Sequence, residues 1–319
     1  MKRNVVVYHH TDSDGLIGLY IISAFELIYN GQAVLAKPSN YGQKLDYSSL
    51  LCGKSTDIYF VDFIPDQYDE VISLAKQVNS IKVIDHHISK KDFAEKVKGI
   101  ENVKIYQQFK DGVSGGMLAH DVLFPEVEPP ELLKVISNFD TWNQENGKDA
   151  FYALEIPLNI GFMHYHNDEP LVQPDLEKAF NKFYKDAISF ERDEAVFASF
   201  YDRFIADGKT IFKSQQDHWK KFAQMSAFEA EIHGKKAICL NIDDSGSMQF
   251  DAVFDPKKHD MMFGFSWRKD HWSISIYSID YDKADAGELC KKYYQGGGHQ
   301  GAGGGYFYGD IFKEMKIVK

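Results

Sequence analysis

Strand-like and helix-like segments alternate over the first 90 residues, a pattern that few folds can accommodate. Val5–Tyr8 is a β-branched strand, and Gly15–Tyr29 carries apolar residues at helical spacing. Two further strands, Asp57–Phe63 and Ile81–Ile84, flank a helix at Tyr68–Val78. Strands that alternate with helices over short connections predict a parallel sheet covered by helices. We therefore expect an α/β fold with a Rossmann-like N-terminal domain.

The remainder of the chain predicts a helical stretch followed by a second α/β region. A strand at Val103–Gln107 and a helix that begins after Ser114 complete the first region, with Ser114 as the N-cap. Strand-like segments return at Ala227 and lead to a helix at Ala284–Tyr294. At about 150 residues per domain, a chain of 319 residues suggests two domains. The expected boundaries are 1–185 for the parallel-sheet domain, 186–226 for a helical linker and 227–319 for a smaller C-terminal α/β domain.

Charge and composition narrow the choice of partners and compartment. The formal charge of −11 at pH 7 argues against coating of long nucleic acid or anionic membrane by bulk electrostatics. The apolar runs fall far short of the roughly 20 residues that a membrane-spanning helix needs, and the N-terminal run is too short for a signal-peptide core. Cys52, Cys239 and Cys290 cannot all pair, which favours a reducing compartment. We therefore expect a cytoplasmic protein with no membrane partner.

Acidic and imidazole side chains accompany the ends of the first three predicted strands. The first strand runs into residues 9–15 (HHTDSDG), the second contains Asp62 near its end, and the third ends in Asp85-His86-His87. Ligands bind at the carboxyl ends of the strands in a parallel α/β sheet, so these side chains should meet. A lone Asp-x-Asp is usually a turn or a helix cap, but three clusters at three strand ends are harder to explain in that way. Mixed Asp and His ligands without cysteine suit Mn²⁺, Mg²⁺ or Zn²⁺, and bridging carboxylates favour a pair of ions about 4 Å apart.

The motifs resemble those of the DHH phosphoesterase superfamily, in the same order along the chain. The matching segments are His10–Gly15 (HTDSDG), Val61-Asp62, Asp85-His86-His87, Asn138–Trp142 (NFDTW) and Gly296–His299 (GGGH). The last of these resembles the signature of the DHH-associated C-terminal domain found in the nuclease branch. Within the superfamily the chain is most similar to the short-oligonucleotide nucleases, also called nanoRNases or oligoribonuclease-like proteins. The Phe-Asp-Thr-Trp stretch is the specific reason for that choice.

The resemblance implies six metal ligands. One ion would bind His10 and Asp12, the other would bind Asp14 and His86, and both would be bridged or flanked by Asp62 and Asp140. Neighbours on a strand point to opposite faces, so only one of the adjacent imidazoles at positions 9 and 10 should be a ligand. The family pattern selects His10 rather than His9.

The resemblance also implies catalytic and substrate-binding residues. Asp85 would hold an imidazole in the right tautomer, and His87 would face the substrate as a phosphate contact or as the acid that serves the leaving oxygen. Glycine-rich backbone can approach phosphate oxygens closely, which assigns substrate binding to Gly297, Gly298 and His299. This branch commonly carries an arginine on the preceding strand, where the present chain has Tyr277, so its grip on the substrate should be weaker or differently tuned.

Together these residues predict two-metal hydrolysis of short oligonucleotides (nanoRNA) to mononucleotides. The expected ions are Mn²⁺, with Mg²⁺ as the alternative. The expected partner is a short single-stranded oligonucleotide or small nucleotide rather than a long duplex, and the protein should be a monomer or a homodimer. Three alternatives keep the same metal residues. They are a phosphohydrolase for cyclic dinucleotides or 3′-phosphoadenosine phosphate, an exopolyphosphatase-like phosphoanhydride hydrolase, and a non-enzymatic nucleotide sensor, which the complete ligand set disfavours.

Overall fold

A computed structural model describes residues 3–40, 43, 45, 47, 55–65, 67–109, 112–167, 169, 171–243 and 246–318. The chain divides into two compact units, Met1–Phe212 and Lys213–Lys319, each with its own sheet. The α/β fold class predicted from the sequence is confirmed. The unit boundary falls inside one long helix, Ala198–Ser226, and the predicted limits of the linker stay a prediction. Cys239 and Cys290 are buried free thiols, whereas Cys52 lies outside the described residues.

Within the described part of the first unit, five strands form one parallel sheet in the order β2-β1-β3-β4-β5. The strands are β1 (Asn4–His10), β2 (Val34–Ser39), β3 (Thr56–Val61), β4 (Ser80–Asp85) and β5 (Val103–Gln107). The strands that carry the acidic clusters, β1, β3 and β4, are therefore direct neighbours. The sequence does not predict β2, because Pro38 interrupts its run of strand-forming residues. Among the described strands β2 lies at the edge of the sheet, where one side of the strand forms no hydrogen bonds with another strand, so a proline is tolerated there.

Helices cover both faces of this sheet, as a parallel sheet requires. They are α1 (Ser13–Asn30), α2 (Tyr68–Ala75), α3 (Phe93–Lys96), α4 (Gly115–Leu123), α5 (Glu131–Asp140), α6 (Lys148–Ala153), α7 (Glu155–Tyr165), α8 (Pro174–Ile188) and the start of α9 (Ala198–Ser226). Alternate residues of β1 serve the two cores: Val7 packs with α1 and α4, and Tyr8 packs with α2. Among the described helices, including those of the second unit, none is long and apolar enough to cross a membrane.

The second unit is a mixed sheet against which α10 (Ala286–Tyr293) and the C-terminal end of α9 pack. Its described strands are β6 (Phe228–Ile232), β7 (Lys235–Asn241), β8 (Met261–Arg268), β9 (His271–Tyr277), β10 (Gly297–Gly298), β11 (Ala302–Phe307) and β12 (Met315–Ile317). The order is β10-β11-β9-β8-β7-β6-β12, and β7 with β8 is a parallel pair in an otherwise antiparallel ladder.

Candidate metal centre

The carboxyl ends of β1, β3 and β4 and the end of α5 bring all six predicted metal ligands together. Ligand atoms in each of three groups lie within 4.8 Å of one another. The groups are His10, Asp12 and Asp62; Asp14, His86 and Asp140; and Asp62, His86 and His87. The first two groups match the division between two ions that the resemblance implies. Asp62 is the third member of the first group, and Asp140 is the third member of the second. His9 belongs to none of the groups among the described residues.

The turn from β1 into α1 positions the first two ligands. Asp12 is the N-cap of α1, and its Oδ1 accepts a hydrogen bond from the Gly15 amide at 3.0 Å. Its Oδ2 lies 2.6 Å from Nδ1 of His10. Burial alone would raise the pKa of Asp12, but the hydrogen bond and charge of His10 hold it at about 2. A metal ion at this pair would replace the proton that His10 shares with Asp12.

Asp14 is buried in the first turn of α1 and is held by the start of α4. Its carboxylate accepts a hydrogen bond from the Ser114 hydroxyl at 2.6 Å and from the Gly116 amide at 3.1 Å. Ser114 is the N-cap of α4, as predicted. That its hydroxyl also donates to a residue 100 positions earlier has no local signal in the sequence. Burial and the charge of Asp12 nevertheless raise the pKa of Asp14 to about 6. Gly116 permits the approach, since a Cβ there would lie 2.8 Å from the Asp14 carboxylate.

Asp62 is a deeply buried carboxylate and the one carboxylate common to two groups of ligands. It follows β3 in the left-handed backbone region, with φ of 54°, and is 1% exposed. Neither of its carboxylate oxygens accepts a hydrogen bond from the described residues. Oδ1 lies 3.2 Å from Nε2 of His86, and Oδ2 lies 3.7 Å from Nδ1 of His10. Burial and the neighbouring carboxylates, Asp14 foremost, raise the pKa of Asp62 well above its ordinary range.

Asp140 reaches the cluster from the last residue of α5. Its Oδ2 lies 3.4 Å from Nε2 of His86 and accepts no hydrogen bond within the described chain. Burial, followed by the charges of Asp14 and Asp12, raises the pKa of Asp140 well above its ordinary range. A carboxylate at a helix C-terminus also faces the negative end of the helix dipole. Both effects disfavour the ionised form and would be reversed by a cation.

Asp85 positions His87 rather than His86. Its Oδ1 lies 2.9 Å from the Nδ1 atom of His87, and its Oδ2 accepts the His87 backbone amide at 3.1 Å. A ring nitrogen that shares a proton with a carboxylate is not a metal-binding lone pair. Asp85 therefore fixes the orientation of His87, although His87 lies close enough to Asp62 to belong to the third group of ligands.

The glycine run, expected as a phosphate-binding loop, forms the hairpin of β10 and β11 in the second unit. The amides of Ala286 and Gly287, at the start of α10, donate to the carbonyls of Gln300 and His299 at 2.9 Å. The run thus caps α10 with its own carbonyls. Gly298 has φ of 145°, and a Cβ on it would lie 2.3 Å from the Ala302 carbonyl oxygen. These glycines are needed for close backbone contact.

The residues assigned to substrate binding differ in their surroundings. His299 is exposed, and Gly297 has no atom within 4 Å of the position where a Cβ would lie. Gly297 pairs with Gly304 across the hairpin, and Tyr277 lies on β9 opposite Ala302. Space for a ligand therefore exists above Gly297, whereas Gly298 is occupied by its own hairpin.

Neither a known protein family nor a curated protein matches the sequence. Solved structures do resemble the fold. The DHH domain of a member of the s1p family of ribosomal proteins aligns with a TM-score of 0.52 at 16% identity, over 96% of this chain and 83% of that chain. The chain has the DHH-domain fold.

Two further structures align over most of this chain at lower scores. One is PggH from Vibrio cholerae, a pGpG-specific phosphodiesterase, with a TM-score of 0.46 and 12% identity over 96% of this chain and 94% of that chain. The other is RecJ from Thermus thermophilus in complex with Mn²⁺, with a TM-score of 0.49 and 15% identity over 98% of this chain and 50% of that chain. The likeness concerns the DHH fold.

Proposed function

We propose that this protein is a DHH-type, metal-dependent phosphodiesterase that hydrolyses short oligonucleotides to mononucleotides. One observation carries the metal dependence: Asp62 is buried with two carboxylate oxygens that accept no hydrogen bond from the described residues. A buried carboxylate without partners costs several kcal/mol unless it is protonated or binds a cation. Imidazoles at 3.2 Å and 3.7 Å from its two oxygens complete the kind of donor set that divalent ions take.

The residues fit two divalent ions, Mn²⁺ or alternatively Mg²⁺. His10, Asp12 and Asp62 would hold one, and Asp14, His86 and Asp140 would hold the other. Bound there, the ions would supply Lewis acidity towards the phosphoryl oxygens and lower the pKa of a water molecule. The clustering of the donors and the raised pKa values of Asp62 and Asp140 support this assignment.

His87 and Asp85 would handle the proton of the leaving group. Asp85 lies 2.9 Å from Nδ1 of His87 and so fixes the orientation of the ring. His87 would then donate a proton from Nε2 to the leaving oxygen as the phosphodiester bond breaks. The substrate choice rests on the Phe-Asp-Thr-Trp stretch that ends in Trp142. Gly297, Gly298 and His299 stay a predicted substrate-binding segment.

A product time course tests this function. Purified protein with Mn²⁺ or EDTA is given end-labelled RNAs from dinucleotide to pentanucleotide length, a longer RNA, polyphosphate, a cyclic dinucleotide and pGpG, the substrate in the name of one similar structure. We expect mononucleotides from the short RNAs, in Mn²⁺ only, and none from an Asp62→Asn variant. Turnover of polyphosphate alone would overturn the phosphodiesterase assignment, and binding without turnover would favour a sensor.

A further inference from the structure

Trp142 is a large aromatic side chain beside the candidate metal centre. It follows Asp140 by two residues, and 42% of its surface is exposed. Consecutive Cα atoms are 3.8 Å apart, so the Cα of Trp142 lies at most about 7.6 Å from that of Asp140. The backbone that bears this partly exposed indole is therefore adjacent to that of a candidate metal ligand.

The backbone at Trp142 belongs to a helix-terminating motif that ordinarily uses glycine. The Asn143 amide donates to the Asn138 carbonyl at 2.8 Å, and the Trp142 amide donates to the Phe139 carbonyl at 3.1 Å. These two bonds define a Schellman motif with Trp142 in the left-handed position, at φ of 52°. A bulky side chain is strained in that conformation. The chain therefore has an indole at a position where the backbone favours glycine.

Phe190 shows that the motif alone does not mark a site. It ends α8 in the same motif, with φ of 60°, but its side chain is 97% exposed. The Trp142 ring instead packs edge-on against Phe151, with centroids 4.9 Å apart, and against Phe139, with centroids 6.2 Å apart. Trp142 is thus a ring held in place by other aromatic rings two residues after a candidate metal ligand, and Phe190 is the natural control.

Other exposed apolar side chains follow the strand ends near the cluster. Ile88 comes directly after His87, and Phe109 follows the end of β5, where Gln107 pairs with Asp85 of β4. A cluster of metal ligands flanked by apolar side chains suits a ligand that has both a charged and a flat apolar part. A nucleotide has both parts, whereas polyphosphate has only the first.

We propose that the indole of Trp142 stacks on a nucleobase of the nucleotide whose phosphodiester group is bound at the metal centre. This inference rests on the proposed phosphodiesterase function and assigns Trp142 as a residue that selects base-bearing substrates. Every base has a π-face, so such stacking tolerates any sequence while rejecting substrates without bases. The substrates are therefore nucleotides of any sequence rather than phosphodiesters in general.

The test compares a dinucleotide with its abasic counterpart, with Mn²⁺ present. The variants are Trp142→Ala, Trp142→Leu, Trp142→Phe and the control Phe190→Ala, each checked for folding by thermal unfolding. For Trp142→Ala and Trp142→Leu we expect the KM for the dinucleotide to rise about tenfold, with kcat nearly unchanged. Trp142→Phe should retain most of the affinity because it keeps a π-face, and Phe190→Ala should match the wild type.

The outcomes separate this inference from the function on which it rests. If the wild type cleaves neither substrate, the proposed function fails. If the wild type cleaves both equally well, or if Trp142→Leu keeps the wild-type preference for the dinucleotide, the stacking role of Trp142 is wrong while the phosphodiesterase assignment stands. Because Trp142→Leu retains apolar bulk, it decides the question even if Trp142→Ala fails to fold.

Discussion

The metal cluster of the first unit and the glycine hairpin of the second are both marked by unusual sequence, yet their polar groups are used differently. In the cluster, both carboxylate oxygens of buried Asp62 and Oδ2 of half-buried Asp140 accept no hydrogen bond from the described residues. In the hairpin, the carbonyls of His299 and Gln300 accept hydrogen bonds from the start of α10, and the strands pair with each other. The cluster therefore leaves carboxylate oxygens without partners in the described chain, whereas the hairpin backbone forms its own hydrogen bonds.

A carboxylate-rich segment and a glycine-rich segment can therefore have different causes. Buried polar groups in native proteins are nearly always partnered, so orphaned carboxylates point to a ligand. Glycines that are required by backbone contact point first to the fold, and only the open positions among them are available to a substrate. Both regions can be tested by substitution, and the metal cluster should show the largest effects.

Two aspartates at opposite ends of β3 provide the sharpest test. Asp57 is near the start of the strand, and Asp62 directly follows its last residue. Asp57 is buried like Asp62, but it accepts hydrogen bonds from Asn79 and Ser80 at 2.6 Å, and these bonds with Arg3 outweigh burial and lower its pKa. We expect Asp62→Asn to reduce phosphodiester hydrolysis by about a thousandfold or more, because a shared metal ligand is lost. The metal-free variant should be at least as stable as the wild type, because a buried carboxylate without hydrogen-bond partners has been neutralised.

The Asp57→Asn variant should show the opposite behaviour. It loses charge-assisted hydrogen bonds, so the free energy of unfolding should fall by about 1–3 kcal/mol while the rate per folded molecule is retained. Initial rates in Mn²⁺ and urea unfolding in EDTA measure the two quantities. If Asp62→Asn destabilises the metal-free protein as much as Asp57→Asn does, the contrast between orphaned and satisfied carboxylates is wrong.

The stability of the metal-free protein should fall with rising pH in a defined window. The pKa of Asp14 is raised from 3.8 to about 6, so its contribution to stability is complete below pH 3.8 and is lost as pH rises through about 6. Mn²⁺ replaces the proton, so its stabilising effect should grow over the same range and reach about 2.7 kcal/mol at a hundredfold excess over Kd. Thermal unfolding in Mn²⁺ and in EDTA across this range measures the difference. An Asp14→Asn variant should lose the part of the pH dependence that lies between about pH 4 and 6, and an unchanged profile in that variant would contradict the assignment.

Asp85 lies in the same cluster, but its carboxylate oxygens have hydrogen-bond partners in His87. It therefore tests whether such a carboxylate contributes by orienting the His87 ring. Asp85→Asn can still accept a hydrogen bond from the His87 amide but no longer places a negative charge beside Nδ1 of His87. We expect kcat to fall by about 10- to 100-fold, with metal affinity and thermal stability close to those of the wild type. A large loss of Mn²⁺ affinity, measured by titration, would instead make Asp85 a direct ligand.

The meeting of most of these side chains could be predicted from the sequence because they follow strands whose order the α/β topology restricts. For Asp12, Asp62 and His86 the rule that the carboxyl ends of parallel strands meet was enough. The choice of individual ligands, and the inclusion of Asp140, depended on the resemblance to the DHH superfamily. Other contributions had no local signal. The hold of Ser114 on Asp14 joins residues 100 positions apart, and β2 escaped notice because Pro38 is tolerated only at an edge that the sequence does not reveal.

The glycine run was the harder case, since glycine has the same sequence signature whether it cradles a ligand or packs against backbone. The local pattern allowed either use. Only the contacts of Gly298 and Gly303 show that their hydrogen atoms face carbonyl oxygens of the same unit. Tertiary contact, which no local pattern encodes, decides between the two uses.

Substitutions of two neighbouring glycines of the hairpin should therefore have the smallest effects on stability and activity. A Cβ on Gly298 would lie 2.3 Å from the Ala302 carbonyl oxygen, so Gly298→Ala should lower the free energy of unfolding by about 1–3 kcal/mol. Gly297→Ala meets no atom within 4 Å and should change stability by less than about 0.5 kcal/mol. If Gly297 contacts substrate, Gly297→Ala should still raise KM for a short RNA, which separates a binding role from a folding one. Equal destabilisation by both substitutions would show that the hairpin is not packed as described.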